Sequence, residues 1–258
     1  MQRKAISIMG VTVDNLTTEE ALQAASRLIT EPRFHHVVTP GPEFLLEATA
    51  HPTFRRILND ADLSLADGMG LHVGARLQGD QLQQRIPGVD FVNDLMRSAG
   101  EQGWSVFLFG GGPGVAEWAA QTLVATNPGL KVVGVESGFR GPWQKVHDRR
   151  VLERIHQAKP TILLVALGAP KQELWIDRHR PGLHDVRLAM GVGRTFDYLA
   201  GTVRRPPQFI RRVGFEWLYT YLTAGQHYQP QFRRQRVRNA TWRFMIELMK
   251  HRYAKRTR

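Results

Sequence analysis

The apolar positions of the chain fall into short runs that alternate with longer amphipathic stretches. The most continuous run, ILLVAL at 162–167, has the length and composition of a strand that is buried on both faces of a parallel sheet. Gly168 ends the run, and Pro170 fits the first position of a helix whose first turn is polar. Ligands of open α/β sheets bind beyond the carboxyl ends of strands, so this turn is a candidate ligand site. An ordinary strand–turn–helix corner would show the same pattern.

The same alternation of strand and helix runs through residues 1–202. Further strand-like runs occur at 5–13, 34–39, 62–66, 106–109, 131–135 and 186–190, with helical periodicity between most of them. This order predicts an α/β domain with a mostly parallel, Rossmann-like sheet and helices on both faces. After Pro206 and Pro207 the pattern changes to helical segments, so residues 203–258 are predicted to form a basic helical appendage.

Charge separates these two regions more sharply than hydropathy does. The 258 residues carry a net charge of +12, and residues 203–258 contain 14 Lys or Arg but only two acids. Residues 1–202 contain 21 residues of each sign, so they are neutral. Such a tail is typical of a segment that binds an anion: phosphate, nucleic acid or an acidic membrane surface.

The last helical segment has its own apolar stripe among basic residues. Trp242, Met245, Met249 and Tyr253 recur at spacings of three and four, which is the pattern of a basic amphipathic helix. The stripe could pack on the chain's own domain, or it could contact a membrane or a partner.

Some classes of protein are disfavoured by what the chain lacks. The sequence has no cysteine, which excludes thiolate chemistry and fits a reducing compartment. The beginning, MQRKAISIMGVTVDN, reaches an Asp too early for a signal peptide, and no apolar run approaches the roughly 18 residues of a membrane span. We therefore expect a cytoplasmic protein.

Candidate chemistry follows several predicted strands. Asp67 stands after an apolar strand, so its carboxylate should lie at a strand's carboxyl end, although it could instead cap the next helix. Two glycine-rich turns also follow strands and open helices, so their backbone N–H groups could face a diphosphate. The glycines in question are Gly110, Gly111 and Gly112 in the first turn and Gly191 and Gly193 in the second.

Two patterns that resemble metal sites receive a plainer interpretation. Asp60-Ala61-Asp62 has the D-x-D spacing of metal-dependent glycosyltransferases, but it precedes a strand, and we expect a solvated surface pair. His35 and His36 are adjacent in a predicted strand and point to opposite faces, so core or edge histidines are favoured over metal ligands.

Six ordered stretches together resemble the WecG/TagA/CpsF family of glycosyltransferases. They are 37–48 (VVTPGPEFLLEA), 62–79 (DLSLADGMGLHVGARLQG), 85–91 (RIPGVDF), 106–117 (VFLFGGGPGVAE), 162–176 (ILLVALGAPKQELWI) and 191–219 (GVGRTFDYLAGTVRRPPQFIRRVGFEWLY). The resemblance covers roughly residues 5–222, and six motifs in order are more specific than any single glycine loop.

The resemblance implies an inverting transfer of a hexose from a UDP-sugar to a polyprenyl-diphosphate-linked sugar, in cell-envelope or exopolysaccharide synthesis. The hexose would be N-acetylmannosamine, its uronate or glucose, and no metal or other cofactor would be needed. Asp67 would be the catalytic base and Thr39 would lie beside the sugar. Arg85 would meet phosphate or acceptor and Gln172 the sugar, while Gly41 stands where the family usually has Asn.

The resemblance also extends the set of expected substrate contacts. Asp197 would contact the base or ribose of the nucleotide. Basic positions of the family's appendage would close over the site and neutralise the diphosphates. The remaining predicted substrate-binding residues are Lys171, Glu173, Arg204, Arg205, Arg211 and Arg212.

We divide the chain into a catalytic domain, 1–202, that binds the nucleotide sugar, and an appendage, 203–258, that contacts diphosphate and membrane. Residues 231–258 are expected to hold the protein on the anionic inner face of the plasma membrane. A homo-oligomer is left open, and no nucleic-acid partner is expected. Two alternatives remain: a nucleic-acid-binding α/β protein that uses its arginine tail, and a non-catalytic sensor of nucleotide sugars.

Overall fold

A computed structural model describes residues 4–138, 145–212, 219 and 242–256. Its strands are β1 Ala5–Ile8, β2 Val11–Asp14, β3 His35–Val38, β4 Leu63–Ser64, β5 Ser105–Gly110, β6 Lys131–Ser137, β7 Ile162–Ala166 and β8 Leu188–Gly191. Its helices are α1 Thr18–Thr30, α2 Pro42–Ala50, α3 Pro52–Asn59, α4 Met69–Leu77, α5 Gly88–Gln102, α6 Val115–Thr126, α7 Lys145–Ala158, α8 Lys171–His179, α9 Thr195–Leu199, α10 Gln208–Arg212 and α11 Phe244–Arg256.

Six parallel strands form the main sheet in the order β4–β3–β8–β7–β5–β6. The chain leaves β5 towards β6 at one edge, but it leaves β7 towards β8 in the opposite direction. The neighbouring strands β5 and β7 therefore form the point where the direction of winding reverses. Open α/β sheets bind ligands outside the carboxyl ends of strands at such a point.

Both faces of the sheet are covered, as the continuous apolar run of β7 predicts. Leu164 packs in a cluster with α1, α5, α6 and α9, whereas Leu163 and Val165 pack with α7 and α8 on the other face. Because side chains alternate between faces along a strand, every position of β7 is buried. The predicted parallel α/β sheet with helices on both faces is confirmed.

The first strand-like run is two strands rather than one. Residues 5–13 were expected to form a single strand, but Ala5 pairs with Asp14 in an antiparallel hairpin that turns at Met9 and Gly10. Both turn residues have positive φ, at 51° and 79°. Met9 is apolar and buried, so the hydropathy pattern shows no break where the chain reverses.

The helix α11 belongs to the core of the domain. Phe244 and Leu248 are each only 1% exposed, and they pack in a cluster with residues of the hairpin, α2, α3 and α4. Close approach is possible because α4 presents Gly70 and Gly74 to this helix, and a Cβ at Gly70 would lie 3.4 Å from the Phe244 ring. One face of the basic helix therefore packs on the chain's own domain.

The opposite side of α11 keeps the predicted apolar stripe in solvent. Trp242 is 71% and Met249 59% exposed, and Met245 and Ile246 are exposed as well. The side chain of Tyr253 lies outside the described part, as do residues 220–241. The packing face and the exposed face thus use different apolar residues of the same helix.

Replacement of Phe244 by Ala should lower the free energy of unfolding by about 3–5 kcal/mol, since a buried phenyl ring leaves a cavity. Trp242→Ala on the exposed side of the same segment should change it by less than about 0.5 kcal/mol. Urea unfolding of both variants measures the difference. Equal effects of the two substitutions would show that α11 does not pack as described.

Candidate active site

A pocket of about 680 Å³ opens at the carboxyl ends of β5, β7 and β8, beside the reversal of winding. We call it the β5–β7 pocket. Its lining includes Gly111, Gly112, Gly138, Ala166, Gly168, Lys171, Trp175, Arg178, Gly193, Arg194 and Asp197. The volume is in the range of small-molecule and cofactor sites.

Cationic side chains from two helices line this pocket. Lys171 and Arg178 lie seven residues apart on one face of α8, and Arg194 directly precedes α9. Asp197 is half-buried, and burial raises the pKa of its carboxyl, while the neighbouring Arg194 acts in the opposite direction. The pocket therefore combines positive charge for an anionic group with the carboxylates of Asp148 and Asp197, which can accept hydrogen bonds.

Two backbone N–H groups of the glycine turns are bonded within the protein. The glycine turns were expected to present their N–H groups to a diphosphate, but the Gly111 N–H donates to the Ala166 carbonyl at 2.8 Å. The Gly193 N–H donates to Gln172 Oε1 at 3.0 Å. For these two groups the expectation is wrong, because the loops use them to hold each other. Gly110 and Gly191 end β5 and β8 and are not among the lining residues.

Gln172 ties together the loops that follow β7 and β8. Its Oε1 accepts from the N–H groups of Gly168 and Gly193, both at 3.0 Å, and its Nε2 donates to Glu173 Oε1 at 2.7 Å. A Cβ at Gly191 would lie 2.5 Å from both the Gln172 and the Glu173 side chains, so a glycine is needed there. The predicted contact of Gln172 with the sugar stays a prediction, since this 2% exposed side chain lies behind the pocket wall.

Glu173 is fully buried at the same place. Burial raises the pKa of its carboxyl from 4.5 to about 7, and the hydrogen bond from Gln172 only partly offsets this. Of the three polar residues that open α8, only Lys171 therefore lines the β5–β7 pocket. Glu173 acts on the pocket through Gln172, and its predicted contact with substrate stays a prediction.

The raised pKa of Glu173 makes stability depend on pH. The folded protein binds this proton more tightly than the unfolded chain, so the stabilisation is complete below about pH 4.5 and is lost as the pH rises through about 7. Glu173→Gln should therefore lessen the fall in unfolding free energy over this range by an amount on the order of 3 kcal/mol. Urea unfolding across this range measures it, with the exposed Glu101→Gln as the control. The same fall in parent and Glu173→Gln would contradict the burial of an ionisable carboxyl.

Asp67 and Thr39 meet at the carboxyl ends of β4 and β3. The Asp67 N–H donates to the Pro40 carbonyl at 3.0 Å, which fixes the two loops side by side. The Gly88 N–H at the start of α5 donates to Asp67 Oδ2 at 3.3 Å, and a Cβ at Gly88 would lie 3.3 Å from Thr39 Oγ1. A carboxylate and a hydroxyl thus face one small space.

The residues next to the Asp67 loop pack closely against its backbone. A Cβ at Gly41 would lie 3.0 Å from the Asp67 carbonyl oxygen, so a larger residue there would require the loops to separate slightly. Arg85 is half-buried, and the next residue, Ile86, donates its N–H to the Ala66 carbonyl at 2.9 Å. This hydrogen bond fixes the backbone next to Arg85 against the residue that precedes Asp67.

The Asp60–Asp62 pair is only partly the solvated surface that was expected. Asp60 is exposed and paired with Arg56, but Asp62 is largely buried and accepts hydrogen bonds from the Arg33 guanidinium, at 2.8 Å, and the His36 N–H, at 2.9 Å. The expectation is wrong for Asp62 because its carboxylate fastens the start of β3. His35 and His36 are buried, which confirms that they are core histidines.

The arginines of the appendage are placed unequally. Arg205 makes a bidentate pair with Asp90 on α5, at 2.6 and 2.7 Å, and so anchors its segment near the start of that helix. Arg204 is exposed. Arg211 and Arg212 end α10, and their side chains lie outside the described part of the chain. The proposed closure of these residues over a diphosphate stays a prediction.

Several residues of the pocket were not predicted from the sequence. Trp175 packs 4.8 Å from Phe109 and donates its indole N–H to Asp148 at 2.7 Å. Arg178 and Arg194 were not singled out either. The spacing of Lys171, Trp175 and Arg178 places all three on one face of a helix, and this spacing could have revealed two of them.

No helix within the described ranges is long and apolar enough to cross a membrane.

An open parallel sheet with a cationic pocket at its reversal of winding, and a carboxylate–hydroxyl pair at the same edge, is the architecture of an α/β protein that binds its ligand at the carboxyl edge of the sheet. A profile of the family described as "Glycosyl transferase WecG/TagA/CpsF family" matches residues 6–258. The chain belongs to this family and is a glycosyltransferase.

A relative from Bacillus spizizenii is 30% identical over 252 residues, which cover 97% of this chain and 90% of the relative. It is named N-acetylglucosaminyldiphosphoundecaprenol N-acetyl-beta-D-mannosaminyltransferase. The predicted family and the predicted class of enzyme are both confirmed.

Proposed function

We propose that this chain moves a hexose with inversion from a UDP-sugar to a sugar on a polyprenyl diphosphate. The observation that carries the proposal is the position of Asp67 and Thr39 at the same sheet edge as the cationic β5–β7 pocket. Thr39 and Gly168 follow strands two spacings apart, or about 10 Å, so an extended nucleotide sugar can reach both. The relative's name supports a lipid-linked amino-sugar acceptor.

In this proposal each part of the site has one role in the displacement of UDP by the acceptor hydroxyl. Asp67 takes the proton of the acceptor hydroxyl as that oxygen attacks the anomeric carbon from the face opposite the leaving group. Lys171, with Arg178 and Arg194, stabilises the UDP that leaves with the bonding electrons. Thr39 contacts the sugar ring, and Gln172 positions the loops behind it.

The name of the relative suggests the donor sugar, and Gly41 is the reason to test others as well. N-acetylmannosamine is the first candidate, and its uronate and glucose are the others, since Gly41 supplies no side-chain amide beside Asp67. A turnover screen of these three UDP-sugars with a short-chain polyprenyl-diphosphate N-acetylglucosamine tests the proposal. Release of UDP with formation of a disaccharide lipid supports it, and failure of all three donors would overturn it.

We also propose that the transfer needs no metal ion. The carboxylates of the D-x-D pattern are already held by Arg33, Arg56 and the His36 N–H, so they are structural. Turnover should therefore stay within about twofold of the parent value in EDTA. Loss of turnover that Mn²⁺ or Mg²⁺ restores would contradict this.

The acceptor would reach the enzyme at the inner face of the plasma membrane. Peripheral binding is supported by the exposed apolar side chains of Trp242, just before α11, and of Met245, Ile246 and Met249 on α11, together with the excess of basic residues in 203–258. No feature of the described residues specifically favours the sensor or the nucleic-acid-binding alternative.

A further inference from the structure

A second cleft of about 440 Å³ lies between α2 and α11, apart from the β5–β7 pocket. We call it the α2–α11 cleft. Its lining includes Glu43, Phe44 and Glu47 of α2, Pro170 of the loop after β7, and Arg243 and Glu247 of the α11 segment. We propose that this cleft binds the acceptor: the neutral sugar ring that the lipid diphosphate carries. The inference rests on the proposed function and names where its second substrate sits.

The cleft shares a wall with the β5–β7 pocket. In the loop after β7, Gly168 and Lys171 line that pocket, whereas Ala169 and Pro170 between them line the cleft. A ligand in each would therefore lie on opposite sides of one short loop. A transfer between two substrates requires such neighbouring subsites, since the donor carbon and the acceptor oxygen must come together.

The cleft also adjoins the loop of the catalytic base. Its α2 wall begins at Pro42, and a Cβ at Gly68 or Gly70 would lie 3.4 or 2.4 Å from that ring. Asp67 directly precedes Gly68, and its N–H is bonded to the Pro40 carbonyl at 3.0 Å. The start of the α2 wall therefore contacts the loop that carries Asp67.

The chemistry of the lining fits a sugar rather than a phosphate. Glu43, Glu47 and Glu247 are acidic lining residues, and Glu47 lies 3.3 Å from His51 and Glu247 2.8 Å from Lys250. Carboxylate oxygens can accept further hydrogen bonds from hydroxyl groups, and they repel an anion. Phe44 and Pro170 offer apolar surface to the C–H face of a pyranose ring. Among the described lining residues the one arginine is Arg243, which directly precedes α11.

The α11 segment links the cleft to the lipid surface. Phe244 and Leu248 fix the helix to the core, and Arg243 and Glu247 face the cleft. The exposed stripe of α11 occupies the remaining side. An acceptor whose lipid stays in the membrane can therefore reach the cleft past the same helix that would rest on that membrane.

Steady-state kinetics with a short-chain polyprenyl-diphosphate N-acetylglucosamine, without membranes, tests this assignment. Glu47→Ala combined with Glu247→Ala should raise the acceptor KM about tenfold, and the donor KM and the UDP dissociation constant should stay near the parent values. Ala50→Trp at the exposed rim fills the cleft without entering the core and should have the same effect. The matched control is Glu101→Ala, at an exposed acid of α5, which should leave both KM values unchanged.

The assignment of the cleft would be overturned if the acceptor KM stayed within about twofold of the parent value in either variant, or if the donor KM rose in parallel. The proposed transferase function would be unaffected by either result. Absence of turnover in the parent itself would overturn the proposed function and this assignment together. The two failures are therefore distinct in the same experiment.

Discussion

Asp67→Asn should lower turnover by about 10²–10⁴-fold, the usual contribution of a general base. The carboxamide has nearly the same shape and can still accept the hydrogen bond from the Gly88 N–H, so the loop should keep its form. It cannot take up the proton of the attacking hydroxyl. The dissociation constant of UDP should stay near the parent value, because the β5–β7 pocket does not include this residue.

Asp80→Asn, at an exposed carboxyl just beyond α4, is the matched control and should retain parent turnover. Initial rates with the best donor of the screen, together with UDP binding, separate chemistry from affinity. If Asp67→Asn keeps turnover within about threefold of the parent, Asp67 is not the base, although the chain remains a transferase.

The fold was predictable because its strands are buried on both faces and stand out as apolar runs between helical patterns. Residues 162–167 gave the clearest case, and the structure confirms β7 there. The N-terminal hairpin was not predictable in the same way. Its turn contains the buried Met9, so polarity did not mark the reversal that the positive φ of Met9 and Gly10 produces.

The candidate site was predictable as a location but not as a set of orientations. Lys171, Gln172 and Glu173 are consecutive polar residues, and successive side chains of a helix point about 100° apart. One of them therefore lines the pocket while the other two are buried against backbone. The orientation of the Gln172 side chain depends on its hydrogen bond with Gly193, in the loop after β8 and 21 residues further along the chain.

The C-terminal helix shows the same limit of sequence patterns. Trp242, Met245 and Met249 formed the visible stripe, but Phe244 and Leu248 are the residues that pack on the core. Two apolar faces on one helix leave open which face meets the protein. The division of the chain at residue 202 stays a prediction, and α11 contributes to the same core as α2 and α4.

Replacement of both Trp242 and Met249 by Gln should weaken binding to anionic vesicles by about 10- to 100-fold. Each of these exposed side chains would lose the partial burial that a membrane interface offers, which is about half of the roughly 1.5–3 kcal/mol of a fully buried side chain. Parent binding should itself weaken as salt rises, since the basic residues of 203–258 are attracted to the same surface. Co-sedimentation with vesicles of mixed neutral and anionic lipid, at two salt concentrations, measures both effects.

Trp118→Gln provides the matched control, because Trp118 is 52% exposed on α6 and this helix packs in a different core cluster from α11. It should leave vesicle binding unchanged, and all three substitutions should leave the unfolding midpoint near that of the parent, as surface changes usually do. Equal binding of the parent and the double variant would contradict docking through α11. A loss that also appears with Trp118→Gln would mean that any exposed aromatic residue suffices. We expect vesicle binding to fall only in the double variant, and the binding that remains should weaken as salt rises. This is the result required if one face of α11 packs on the core and the other contacts the lipid.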